Sequence, residues 1–390
     1  MTTLAPEPVC ALPGSDRATN SSISMFKLCR RKFFFTYVLG WRPVYKATPF
    51  RFGSGVHLGL DWLAKGMSPD AAADAIDSFY EAETAAYADA PEFQEIAYRL
   101  SLECVTVQRL VKGYAWAWRE SHIEIVESEK SFDLPIVNPD TGAQARIFRQ
   151  SGKRDRIGRL PDGRLALMET KTAGEDIGPD SDYRNHLLVN QQVSMYIAAA
   201  RTEGHDLQTT LYDVIRKPGI RPTPMPVLDE QGLKVVLDAK GERVKTKAGK
   251  WRETGDKNMG YVLQTTPMTP KQWSARLSTH ILENPAYYYQ RFEVARLQSD
   301  LDEWAQELWA IVQDIHACTK AGRWWRNTDA CRYYKRMCPY WTICTGQVAC
   351  DAGCPVGFRQ ARHAHEELQE ADEGNGNDDS NGSETDGFPV

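Results

Sequence analysis

The sequence predicts an α/β fold: a mixed sheet flanked by helices, with a helical N-terminal part and a Cys-rich C-terminal segment. Three observations carry that expectation. Apolar residues recur at helical spacing up to residue 119, alternate from residue 123, and return to helical spacing at 183. A Pro-Asp-Gly turn joins two of the alternating segments. Six of the nine cysteines, Cys318, Cys331, Cys338, Cys344, Cys350 and Cys354, crowd into one stretch.

Taken in order, residues 1–21 read as a flexible N-terminus. They lack the basic start and apolar run of a secretion signal. "SISMFKLCRRKFFFTYVLG" (22–40) opens on serine caps and reads as one amphipathic helix carrying Cys29. "RFGSGVHLGLDWLAKG" begins a second helix after a Gly-rich lead-in, and 69–88 and 91–119 are two more. "IEIVESEKSFDLPIV" (123–137), "ARIFRQSGKRDRIGRL" and "RLALMETKTAG" are strands, 183–204 is a helix, and "LQTTLYDVIRKP" (207–218) is a strand closed by proline. This core of about 123–218 is followed by inserted β-hairpins over about 228–263, with near-repeated "DEQGLK" and "DAKGER" turns and a Lys-rich "KTKAGKWR". Residues 268–321 read as helical and lead into the cysteines, so that 22–354 forms a single domain.

Composition narrows the function classes. A hydrophobic share of 42% and a charged share of 25% are those of a globular protein, and no apolar run approaches a membrane span. An intracellular, cytoplasmic protein is expected. The formal net charge of −5 is an average over unlike parts. Residues 366–390 hold nine acidic side chains and no Lys or Arg, which makes them a disordered acidic tail behind a mildly basic body. A basic body permits nucleic-acid binding. In a reducing compartment, the clustered cysteines read as metal or iron–sulfur ligands before they read as disulfides.

The chemistry concentrates on "GKRDRIGRLPDGRLALMETKTAG" (152–174). In "LPDGR", Pro161 and Asp162 suit the centre of a type I turn, and Gly163 the left-handed position of a three-residue hairpin loop. That loop pairs Leu160 with Arg164, and counting back brings Asp155 opposite Glu169. A two-residue loop would send the two carboxylates to opposite faces. Lys171 shares the face of Glu169. Adjacent carboxylates repel unless a cation sits between them, and Mg²⁺ or Mn²⁺ answers that need. A lysine beside them completes the composition of a metal-dependent phosphodiester hydrolysis site. Taken alone, the triplet is equally compatible with an exposed ion-pair ladder.

Further residues extend the pattern. "GSGVH" places His57 four residues after Gly53, "QVSMY" places Gln192 and Tyr196 one helical turn apart, and Cys29 precedes the distant Cys331, Cys338 and Cys344. Together these resemble the PD-(D/E)XK nuclease superfamily. Within it they are similar to the RecB-like branch, which includes AddB-type and CRISPR-adaptation nucleases with a split four-cysteine [4Fe–4S] cluster. The resemblance spans about residues 22–347. It implies that His57, Asp155 and Glu169 hold the metal and that Lys171 positions the attacking water. It also implies that Gln192 holds Lys171 or the scissile phosphate, that Tyr196 contacts the nucleic-acid strand, and that Cys29, Cys331, Cys338 and Cys344 hold the cluster. Lys153, Arg154, Arg156 and Arg159 flank the hairpin and suit phosphate contact. Trp324, Trp325, Tyr333, Tyr334 and Trp341 surround the cysteines, where packing is their expected use.

The C-terminal cysteine spacing here is C-x6-C-x5-C, whereas the family reads C-x2-C-x5-C. Cys350 and Cys354 are rival ligands, and zinc remains an alternative occupant. The function implied is that of a DNA nuclease, an exonuclease on single strands or DNA ends, acting in recombination, repair or phage DNA processing. "GxxxxGK[ST]" is absent from the sequence, so unwinding falls to a separate helicase or recombination protein. Two other classes stay open: a non-catalytic DNA-binding or assembly subunit with the same fold, and a zinc-containing interaction module.

Overall fold

The computed structural model describes residues 12–44, 48–333, 336–348, 350, 353–366 and 368. Most of the acidic tail, and Cys10 and Tyr334, lie outside the described residues. The chain starts with β1 (Arg17–Ala18) and α1 (Asn20–Leu28), whose first turn is closed by a reciprocal Thr19–Ser22 capping box. The single helix expected over 22–40 is broken. Cys29 is fully extended (φ −161°, ψ 113°), and α2 (Arg30–Phe33) and a π-helical turn (Phe34–Val38) follow it. The break turns Cys29 toward the C-terminal segment, where its sulfur accepts the Asn327 N–H at 3.4 Å.

After β2 (Trp41–Pro43), three helices form one layer: α3 (Thr48–Ala64), α4 (Pro69–Ala85) and α5 (Phe93–Ala117). The glycines expected to lead into α3 lie inside it. A Cβ on Gly59 would come within 2.8 Å of both Ile76 and Val111, so glycine there lets three helices approach closely.

The sheet comes next. β3 (Glu124–Val137), β4 (Gln144–Arg159) and β5 (Leu165–Ala173) are antiparallel neighbours. The helix expected over 183–204 is present as two, α6 (Asp182–Leu188) and α7 (Gln191–Thr202), the second capped by Asn190. They carry the chain across to β6 (Leu207–Arg216), parallel to β5. β5 is largely buried, which explains the apolar run Leu165–Met168 that opens it ahead of Glu169.

An arm built from the hairpins expected over 228–263 leaves from the end of β6. Its short ladders pair Val236–Leu237 with Val262–Leu263 and Met225–Pro226 with Thr265–Thr266. The chain returns through α8 (Pro270–Glu283) and α9 (Pro285–Tyr288). It then forms a strand that the all-helical expectation for 268–321 lacked: β7 (Tyr289–Ala295), antiparallel to β6 at the edge of the sheet. Its sequence, YQRFEVA, alternates aromatic and β-branched residues with polar ones, and α10 (Gln298–Ala321) begins only after it. α11 (Trp341–Cys344) follows the Cys-rich turn, and β8 (Phe358–Gln360) pairs with β2, bringing the C-terminal part back onto the N-terminal one.

Two apolar layers sandwich the sheet. One joins α1, α7 and α10 to Ile157, Leu167, Tyr212 and Val214. The other joins α3, α4, α5 and α8 to Ile215 and Tyr289. Among the described residues no helix is long and apolar enough to cross a membrane.

Candidate active site

The Pro161–Gly163 loop has the expected build. The Leu160 N–H donates to the Arg164 carbonyl at 2.8 Å, the Gly163 N–H donates back to Leu160, and Gly163 has φ 88°. The β4–β5 ladder then runs Arg159–Leu165 to Arg156–Met168, so Asp155 comes next, opposite Glu169. On the other side of β4, Ser128 pairs with Arg156 and Lys130 with Arg154, which sets Glu129 of β3 opposite Asp155. Three carboxylates therefore stand in a row across three strands.

Each is held differently. One Asp155 oxygen accepts the Thr170 N–H at 2.8 Å, and the other lies 3.5 Å from His57 Nδ1 on α3. Donor atoms of His57, Glu129 and Asp155 all fall within 4.8 Å of one another, the spacing of ligands about one cation. Glu169 is only 1% exposed. Its Oε1 accepts from Lys171 Nζ at 2.6 Å, while its Oε2 is buried without a hydrogen-bond partner. Burial pushes the Glu169 carboxyl up to about 7, with Lys171 opposing that shift and Asp155 adding to it. Burial also raises Glu129, against the pull of Lys153. An orphaned buried carboxylate oxygen beside a His/Glu/Asp triple fits a divalent cation, whose charge would satisfy it.

Lys171 is fixed from a second side. Its Nζ donates to Gln192 Oε1 at 2.5 Å, and Gln192 Nε2 donates to the Tyr196 hydroxyl at 3.0 Å. Gln192 sits in the first turn of α7, where its N–H donates to the capping Asn190 side chain. Tyr196 is buried and packs edge-on against Phe132, so the expectation that it contacts a nucleic-acid strand is corrected: it braces Gln192 from below.

Two of the expected phosphate contacts are corrected as well. Arg154 has no exposed surface and is consumed by Glu127 and Glu203 at 2.7 and 2.5 Å. Arg156 points to the opposite face of the sheet, donating to Thr170 Oγ1 at 2.7 Å and facing Asp213 at 3.6 Å. Strand alternation alone could not separate a solvated arginine from one buried against a carboxylate on a distant element. Lys153 is partly exposed but paired with Glu129, and Arg159 is exposed beside Glu124. A second acidic group, Glu127, Glu203 and His205, is already neutralised by Arg154 and Lys130.

Glu129 is the site residue that the sequence left unassigned. It lies on a strand joined to β4 by an irregular turn at 138–143 and offset by a register shift between Pro135 and Val137, so its partner could not be counted from the sequence. Its backbone is the signal the structure adds. At φ 54° it is the sole non-glycine left-handed residue among those described, a strain typical of functional positions.

The four expected cysteines converge. Cys29, Cys331, Cys338 and Cys344 line one pocket with Arg31, Lys32 and Arg326, and Cys350 and Cys354 do not line it. Burial raises the thiols of Cys338 and Cys344, while Lys32 opposes this at the first and Arg326 and Arg31 at the second. Among the described residues no three thiols lie within 4.8 Å of one another. Trp324 is buried and stacked on Phe33 and Phe34, whereas Trp325 is exposed with Arg30 over its ring.

The chain is similar to known proteins. The family model for the PD-(D/E)XK nuclease superfamily matches residues 17–345. Two curated relatives are similar over 220 residues at 27% identity. Both are named as a subunit of an ATP-dependent helicase/deoxyribonuclease, from Streptococcus equi subsp. zooepidemicus strains MGCS10565 and H70. The match covers 55% of this chain and only 19% of each relative, so the chain spans about a fifth of their length. A solved structure, that of SSO0001, aligns over 52% of this chain and 63% of its own at 13% identity and a TM-score of 0.21. A family match that extends from β1 to the last of the four converging cysteines reflects far more than a short shared motif: the chain belongs to the PD-(D/E)XK nuclease superfamily.

Proposed function

We propose that this chain is a Mg²⁺- or Mn²⁺-dependent deoxyribonuclease, an exonuclease on single strands or DNA ends. The observation that carries the reading is the buried, unpartnered Glu169 oxygen beside Lys171 and next to the His57, Glu129 and Asp155 donors. His57, Asp155 and Glu169, with Glu129 added, would hold the cation. When bound, it supplies Lewis-acid polarisation of a phosphoryl oxygen and offsets the charge that develops there. The rest is the work of the chain's own groups. Glu169 and Gln192 fix the Lys171 ammonium from two sides, leaving its remaining proton to orient the attacking water. Gln192 is locked in turn by Tyr196, so the lysine does not need to be ordered when DNA arrives. A site so fully built argues against a non-catalytic role.

For the cysteine pocket, [4Fe–4S] is favoured over zinc. The four converging thiols join the end of α1 to the Cys-rich turn, as the family resemblance implies for a cluster, and Arg31, Lys32 and Arg326 beside them would offset its negative charge. Because the relatives are named as helicase/deoxyribonuclease components, a separate helicase or recombination protein is the proposed partner, in the cytoplasm, in recombination, repair or phage DNA processing.

End-labelled single- and double-stranded DNA, incubated with and without Mg²⁺ or Mn²⁺, tests the activity and its direction. Asp155→Ala and Lys171→Ala should each slow digestion by at least about 100-fold, the scale of losing one preorganised electrostatic group. Digestion at the wild-type rate by either variant would overturn the site. Iron and sulfide in stoichiometric amounts support the cluster, and zinc alone would refute it.

A further inference from the structure

The arm between β6 and α8 carries four tight turns, and one of them differs chemically from its neighbours. In three, an aspartate closes the loop. Asp229 Oδ1 accepts the N–H groups of Gln231 and Leu233, Asp238 Oδ1 those of Lys240 and Glu242, and Asp256 Oδ1 those of Asn258 and Met259. The remaining turn, Thr246–Gly249, keeps the same backbone. The Thr246 N–H donates to the Lys250 carbonyl, the Gly249 N–H donates to Thr246, and Gly249 is left-handed at φ 76°. Yet it has threonine where the others have aspartate, and that hydroxyl donates to the Lys250 carbonyl at 3.2 Å. No carboxylate among the described residues accepts from Ala248 or Lys250, the positions that Asp229 and Asp238 serve in their own turns.

The carboxylate is missing where positive charge collects. Residues 244–251, "VKTKAGKW", hold Lys245, Lys247 and Lys250 and no acidic residue, and all three lysines are exposed. The cations nearest in sequence are already committed: Arg243 to Asp229 at 2.6 Å and Arg252 to Asp256 at 3.2 Å. Arg243 and Lys245 both lie over the Trp251 ring, at 4.5 and 4.7 Å, which stiffens the hairpin that presents the loop. The arm also leaves the sheet at the end toward which the Glu169–Lys171 strand runs. Ala173 pairs with Arg216, and the next residue, Lys217, donates its N–H to Ala173.

We propose that the Thr246–Lys250 loop is a binding site for a backbone phosphate of DNA lying outside the cleavage site. A phosphate oxygen takes the place that aspartate fills in the sister turns, accepting from the Ala248 and Lys250 amides, while the Lys247 and Lys250 ammonium groups neutralise its charge. Such contacts set the register of the substrate and read no sequence. The proposal rests on the deoxyribonuclease reading for its ligand.

The test is the salt dependence of binding by the full-length protein to labelled duplex and single-stranded DNA, without divalent metal. Lys247→Glu/Lys250→Glu should weaken duplex binding at least tenfold. It should also flatten log K against log salt by about 0.9, the value for one lost phosphate contact on duplex DNA. The same reversal at Lys271 and Lys320, exposed cations outside the arm, should leave the slope at the wild-type value. An unchanged slope in the arm variant, or an equal change in the control, overturns the proposal. So does a variant that binds DNA normally but loses affinity for an acidic peptide of residues 366–390, which would make the loop a seat for the chain's own tail. The two readings fail separately. A wild-type protein that loses its slope on mutation but never cuts DNA refutes the nuclease, and one that cuts while the arm variant keeps its slope refutes the loop.

Discussion

At the scale of single residues, Glu129 and Glu169 carry unfavourable terms that the proposed cation would offset. Glu129 is held in a left-handed backbone, with its carboxylate close to that of Asp155. Glu129→Gly removes the strain, and the metal-free protein should gain about 1 kcal/mol in denaturant unfolding. The same variant should bind Mn²⁺ about tenfold or more weakly by calorimetry, since one of the close oxygen donors is gone. Equal or lower stability would show that the backbone is not strained, and unchanged Mn²⁺ binding would remove Glu129 from the site. The Asp155–Glu169–Lys171 set was legible in the sequence because a three-residue loop fixes the register of its own hairpin. Glu129 was not legible, because register across a bulged strand and an irregular turn is set by the folded sheet.

Among the elements, the layer of α3, α4 and α5 governs where His57 sits. Gly59→Val on α3 would drive a side chain into Ile76 and Val111. It should cost about 1–3 kcal/mol and weaken metal binding in parallel, because His57 lies on the same helix half a turn earlier. A loss of stability with full metal affinity would mean that α3 yields away from the site. Beneath the sheet, Asp213 accepts from Arg291 at 2.7 Å and from Tyr114 at 2.6 Å, and it faces Arg156. Asp213→Asn leaves two guanidinium groups without their carboxylate and should destabilise the protein by about 3–5 kcal/mol in urea titration. A loss under about 1 kcal/mol would show that water reaches the pair. Helix periodicity and strand alternation placed most of these elements correctly. They failed at Cys29, where one extended residue splits a helix, and at Tyr289–Ala295, where a short edge strand lies between two strong helices. In both places a tertiary partner, the Cys-rich segment or β6, overrides the local pattern.

At the scale of the whole molecule, the cysteine pocket joins the segment near the N-terminus to one some three hundred residues later in sequence. The joint also reaches the active site: Lys27 on α1 donates to Gln191, the neighbour of Gln192. If the pocket holds the proposed cluster, Cys29→Ser should abolish iron binding and lower the melting temperature, while Cys354→Ser, outside the pocket, should leave iron content at the wild-type level. Loss of iron in the second variant would reassign the ligands. Grouping of the four cysteines was legible from their spacing alone only as one of several sets, since Cys350 and Cys354 compete in the sequence, whereas in the fold the other four line one pocket and these two do not. There is also a consequence in time. On the ribosome, His57, Asp155, Glu169, Lys171 and Gln192 are all made before Cys331, by an interval of roughly 7–30 s at ordinary elongation rates. A nascent chain thus holds all five candidate site residues while Cys29 still lacks its three partners across the pocket, so under the proposed function a completed cutting site would form only late in synthesis.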